Sequence, residues 1–195
     1  MIAGITGKYC SGKNTVCDLF VKRGWAEIDV DRLGHEALEI KSQEVIAVFG
    51  REITDSGGKI DRKKLAGRVF GSKKALRDLE SILHPQMVEM CRNRIKEFEG
   101  RNVIINAAVL HRMGLNKLCG AVIWVKSPFI ERLRRSMKRD NHSLLHSLKR
   151  MLTQKELDAK YWSEDVDSYT IWNNSSIAEL EAEVARLSLA LGERS

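Results

Sequence analysis

The first fifteen residues, MIAGITGKYCSGKNT, constrain this chain more than any other stretch. Ile2, Ala3 and Ile5 make a short apolar run suited to a buried strand. Gly7, Gly12 and Lys13 follow at the spacing G-x-x-x-x-G-K, and Val16, Leu19, Phe20 and Arg23 then recur at helical spacing. Strand, glycine-rich turn and helix, in that order, make a phosphate-binding loop. Glycines let the backbone curl until successive N–H groups face one anion. The helix that starts near Gly12 adds the positive end of its dipole. Lys13 would reach the outer phosphates as a point charge. The residues expected around a nucleotide are therefore Gly7, Cys10, Ser11, Gly12, Lys13, Asn14 and Thr15. Asn14 stands where Ser or Thr ordinarily offers Mg²⁺ a hydroxyl. An amide oxygen can also ligate that ion, which makes Asn14 the candidate metal ligand.

Composition narrows the partners. The 195 residues suffice for one real core with a smaller helical insert. A formal charge of +7 points to anionic partners such as nucleotides. Few aromatics and no RNA- or zinc-finger-type pattern argue against nucleic acid as the partner. Cys10, Cys17, Cys91 and Cys119 form no C-x-x-C pair and read as reduced thiols. The chain opens directly on a strand rather than on a basic-then-apolar signal. No apolar run approaches the ~20 residues of a membrane span, so the expected compartment is the cytoplasm.

Taken in order, WAEIDVD (Trp25 to Asp31) reads as a second strand that delivers Asp29 and Asp31 at its C-terminal end, where open parallel sheets bind ligands. Arg32 to Ile40 reads helical, with Leu33, Ala37 and Leu38 inward, and Glu44 to Phe49 continues so. Asp55, Gly57 and Gly58 mark a turn, and Asp61 and Ser72 read as helix caps. Leu65, Val69 and Phe70 face inward in one helix, and Leu76, Leu79, Ile82 and Leu83 in the next. His84-Pro85 should break that second helix, with another from Met87 to Phe98. NVIINAAVL (Asn102 to Leu110) is a buried central strand, and AVIWV (Ala121 to Val125) another. Ser127-Pro128 opens a helix carrying Arg132, Arg134, Arg135, Lys138 and Arg139. A helix with Leu144, Leu148 and Met151 inward follows and carries Lys149, Arg150 and Gln154. SYTIWNN (Ser168 to Asn174) is the last strand, and Ile177 to Leu191 the closing helix, with Leu180, Val184 and Leu187 inward. Five strands alternating with helices predict an α/β fold with a parallel sheet covered on both faces.

GITGKYCSGKNT, IDVDRLGHEAL, KIDRKKLAGRVF, LESILHP, SMKRD and IWNN, in this order, resemble the dephospho-coenzyme A kinase family over almost the whole chain. The resemblance implies a P-loop kinase that moves the γ-phosphate of ATP, with Mg²⁺, onto the ribose 3′-hydroxyl of dephospho-CoA. It implies a core (about 1–30, 101–127 and 163–195), a helical CoA-side insert (about 31–100) and a helical lid (about 128–162). By the same resemblance Asp31 is the general base, Arg139 contacts the transferring phosphate, and Arg62 and His84 belong to the CoA region. Asp29 joins them as a substrate-side acid. Arg135 is the second candidate on the basic helix.

The chemistry agrees with these roles. Phosphoryl transfer needs positioning and charge neutralisation. A carboxylate takes the acceptor proton, and a closing lid keeps water from competing with the acceptor. Three departures from the family pattern stand out: Asn14, Lys8 in place of a glycine, and Ala108–Arg112 where the family reads roughly P-L-L-x-E. Two other readings stay open. One is a P-loop kinase for a nucleoside or nucleotide, and the other a nucleotide-binding homologue with weakened catalysis.

Overall fold

Short apolar segments with both faces due to be buried make the strands of a parallel sheet. The structure, a computed structural model, describes residues 1–140, 166–174 and 176–193, with the side chains of all these but Arg139 and Asp140. Its strands are β1 (Ile2–Thr6), β2 (Ala26–Asp29), β3 (Val103–Asn106), β4 (Ala121–Lys126) and β5 (Asp167–Trp172). They pair in parallel in the order β2-β3-β1-β4-β5. Two nearly uncharged strands, β3 and β1, thus hold the middle, and the phosphate loop leaves the central strand at its C-terminal end.

The chain divides into two compact units. The first joins Met1–Asp29 to the chain from Ile95 onward. On one face of its sheet lie α1 (Lys13–Val21) and α7 (Ile177–Gly192), in contact with each other. Val16, Leu19, Phe20, Leu180 and Val184 are buried there against Ile5, Ile104 and Ile123. Trp25 packs edge-on to Phe20, with ring centroids 5.2 Å apart, and donates its indole N–H to Ser188 Oγ at 2.8 Å, so its one polar atom is satisfied. Helix α7 starts with a capping box, in which Ser176 and Glu179 each satisfy the other's backbone N–H. At Gly4 the opposite face is so close to Leu110 and Cys119 that any side chain there would displace them. Helix α6 (Phe129–Asp140) belongs to the same unit.

The second unit, Val30–Arg94, is helical. It contains α2 (Val30–Ile40), α3 (Ser42–Phe49), α4 (Arg62–Val69) and most of α5 (Lys73–Glu97). Leu38, Val45, Phe49, Ile53, Leu65 and Val69 form its core, with Leu79, Ile82 and Leu83 against them. Asp55 Oδ1 accepts from the N–H groups of Gly57 and Lys59, which makes the expected turn. Asp61 caps α4 by accepting from Lys63 and Lys64, and Ser72 Oγ accepts from Ala75 N ahead of α5.

Several expectations need correcting. The second strand stops at Asp29, opposite Asn106, where β3 also ends. With no ladder to extend, the chain turns at once into α2, and Asp31 falls in that helix's first turn rather than on the strand. The expected strand to Leu110 likewise ends at Asn106: β2 offers no further partner, and on the other side the pairing with β1 closes where Ala107 N donates to Ile5 O at 3.0 Å. Ala107 and Leu110 stay buried beyond the strand's end, which accounts for their apolar side chains. Pro85 does not break its helix, and α5 runs through it for 25 residues. Proline's φ is already helical, so the loss is one N–H···O bond and some ring crowding, which a long packed helix absorbs. Phe70 and Leu76 are exposed, since Phe70 lies just past the end of α4 and Leu76 on the outer side of α5. A small antiparallel bridge, Thr54 with Ile60, closes the turn expected at Asp55, Gly57 and Gly58.

Candidate active site

The loop between β1 and α1 is built by its glycines and then fastened from outside. A Cβ on Gly7 would collide with the carbonyl oxygen of Val125 on β4 and lie 2.8 Å from Ser11 Oγ. Gly12 has φ 93°, and a Cβ there would collide with the side-chain amide of Asn173. Both positions need the smallest residue, one for close approach and one for backbone conformation as well. Ser11 N donates to Lys8 O at 3.0 Å, which closes the turn, and Val16 N donates to Gly12 O at 3.1 Å, which starts the helix. The first N–H groups of a helix have no carbonyl of their own to reach, so they are left for an anion. Lys13 Nζ donates to Gly7 O at 3.3 Å, which holds the ammonium over the loop's own entrance. Cys10 is the one described non-glycine residue at positive φ, 59°, a conformation that costs roughly 1–2 kcal/mol. Ser11 Oγ is buried with no hydrogen-bond partner among the described residues.

Three residues beyond the motif grip this loop. Asn173, just after β5, donates its amide to Ser11 O at 2.9 Å. Arg135 on α6 donates to Ser11 O at 3.4 Å, to Ser127 Oγ at 3.1 Å, and through its other nitrogen to Asn173 O at 3.1 Å. The guanidinium thus joins α6, the phosphate loop and the end of β5 in one planar fork. Asn106, 7% exposed at the end of β3, donates its amide to Asn14 Oδ1 at 3.3 Å and to Glu27 Oε1 at 3.0 Å. The Asn14 oxygen expected as a metal ligand is therefore engaged with the sheet.

The other expected residues divide between the units. Asp29 ends β2 in the first unit, exposed, and Thr15 is exposed on α1. Asp31, Arg62 and His84 belong to the second unit. Asp31 and Arg62 are exposed in the first turns of α2 and α4, and His84 is half-buried on α5. Arg139 lies on α6, but its side chain is outside the described residues, as are the residues expected to form a second lid helix, Lys149, Arg150 and Gln154 among them. His111 and Arg112 follow β3 in the turn region, and burial lowers the His111 pKa.

The four cysteines are free, and three are buried. Burial above all, then the negative charge of Glu27, pushes the Cys17 thiol well up, and burial alone takes Cys91 to about 11. Neither supplies a thiolate nucleophile at neutral pH. Among the described residues no cluster of three His, Cys, Asp or Glu side chains could hold a metal, and no helix is long and apolar enough to cross a membrane.

Sequence reasoning underrated Arg135 and missed Asn106, Glu27 and Asn173. One signal for Asn106 was present, a lone polar residue in an otherwise apolar buried run. A charged Glu27 between Ala26 and Ile28 was a second.

A family model described as dephospho-CoA kinase matches residues 1–179. A dephospho-CoA kinase of Borreliella burgdorferi is 32% identical over 190 residues, covering 95% of this chain and 92% of the relative. One from Borrelia garinii is 34% identical over 190 residues, with the same coverage of each chain. A solved protein from Thermus thermophilus superposes with a TM-score of 0.81 at 28% identity, covering 100% of this chain and 98% of the other.

Proposed function

The chain belongs to the dephospho-CoA kinase family, and we propose that it transfers the γ-phosphate of ATP to the ribose 3′-hydroxyl of dephospho-CoA, giving coenzyme A and ADP. The observation that carries this reading is the glycine-built loop ending in α1, with Lys13 over it, in a chain matched by that family along residues 1–179.

The phosphates of ATP lie in the loop of Gly7, Cys10, Ser11 and Gly12, against the first N–H groups of α1, with Lys13 as the fixed positive charge. Thr15 completes the lining. The carboxylate of Asp31 accepts the proton of the 3′-hydroxyl as its oxygen bonds to the γ-phosphorus, and the bond to the ADP oxygen breaks. Asp29 supports the same side of the reaction. The second unit receives dephospho-CoA, with Arg62 and His84 as contacts to its anionic and polar parts. Arg139 neutralises charge on the group in transit. Arg135 acts one step back by holding the loop in shape.

Mg²⁺ would accompany ATP in this reaction and would neutralise charge on the phosphates. The residues described here do not fit that ion in the usual way. Asn14 has no hydroxyl, and its one oxygen already accepts from Asn106.

The test is a panel of acceptors with ATP, with products identified by mass. Dephospho-CoA should gain one phosphate with equimolar ADP. Turnover of nucleosides or nucleotides with none of dephospho-CoA would replace this reading with the other kinase reading.

A further inference from the structure

We infer that Asn14 meets the nucleotide as a hydrogen-bond donor to phosphate rather than as a ligand of the metal, and that Glu27 enforces this through Asn106. The inference rests on the ATP-binding reading of the loop and adds the chemistry of its last position.

Three side chains pass hydrogen bonds from one to the next. Glu27 carries a carboxylate, which when ionised can only accept. It receives Asn106 Nδ2 at 3.0 Å, so the Asn106 amide must turn its NH₂ group toward it. The same nitrogen lies 3.3 Å from Asn14, and a donor there requires Asn14 to present its oxygen. One acid on β2 thereby sets the orientation of two successive amides, an assignment made by the network rather than by either asparagine alone. The other edge of the Asn14 amide, its NH₂ group, has no acceptor among the described residues, although the side chain is exposed.

Asn14 is the second residue of α1, directly after Lys13, among helical N–H groups that suit an anion. An NH₂ group there adds to that donor set, and it cannot coordinate a cation. Asn106 is largely buried, so leaving its amide without partners would be costly, and the arrangement is held rather than optional. The loop therefore grips phosphate oxygens directly and leaves the metal to the phosphates and water. Nucleotide affinity should depend little on the divalent ion.

The experiment is isothermal titration of the intact protein with ADP, in excess EDTA and in excess MgCl₂. The parent Kd should differ between the two conditions by less than about fivefold. Asn14→Thr restores the hydroxyl, and its ratio should exceed the parent's by about tenfold. Glu27→Gln can donate as well as accept, so it allows both amides to turn over, and its ratio should also rise. A parent ratio above about fivefold, or an Asn14→Thr ratio equal to the parent's, overturns the inference. The parent measurement stands even if a variant fails to fold. Absence of ADP binding in both conditions would instead overturn the ATP reading, and the inference with it.

Discussion

Gly12 and Lys13 are adjacent, and each has a requirement that the other's side chain could not meet. Gly12 holds φ 93° with the Asn173 amide pressed against its Cα. Gly12→Ala should destabilise the fold by about 2 kcal/mol or more, from left-handed strain plus displacement of the Asn173 bond to Ser11. Calorimetric unfolding measures this, and a midpoint equal to the parent's would deny the tight approach. Lys13→Ala should leave the fold intact and weaken ADP binding by roughly 10- to 100-fold, the worth of one charge-assisted contact. Titration calorimetry reads that directly. Both residues were legible in the sequence because the motif names them. Asn106 and Glu27 were not, since their meaning depends on register. Asn106 and Asp29 come level only when β2 and β3 pair, and Glu27 then lies on the same face as Asp29.

Among the elements, α6 is tied to the loop through Arg135. Arg135 reaches Ser11, Ser127 and Asn173, and a lysine has the charge but not the fork. Arg135→Lys should lower the thermal midpoint and weaken ADP binding several-fold, and it should do so more than Arg134→Lys on the same helix. Equal effects would mean that charge alone matters there.

Helix α4 depends on its cap. Backbone donors from Lys64 and Lys63 hold the Asp61 carboxyl below the usual carboxylate range. A depressed folded pKa means the unfolded chain takes up the proton first. The cap's contribution is therefore full above the ordinary aspartate pKa and lost as pH falls through the lower folded value. Asp61→Asn keeps a cap without the proton, so its midpoint should fall less than the parent's between neutral and strongly acidic pH.

Element identity was readable from periodicity and caps, as Asp61, Ser72 and the α7 helix attest. Element ends were not. Strands β2 and β3 stop where a neighbour stops, and no local signal in Val30 or Ala107 announces it. The passage of α5 through Pro85 is a similar case, because a proline's effect depends on the packing of the helix on either side.

At the scale of the molecule, the sheet unit carries the loop, Arg135 and the Asn14–Asn106–Glu27 relay, and the helical unit carries Asp31, Arg62 and His84. The central claim is that Asp31 takes the proton from the alcohol that receives the γ-phosphate. The most direct test compares the rate of phosphate transfer from ATP to dephospho-CoA in the parent and in Asp31→Asn, with ADP affinity measured alongside. Asp31→Asn should lower the rate by about 10²- to 10⁴-fold with ADP affinity unchanged. Equal transfer rates in the two proteins would contradict it.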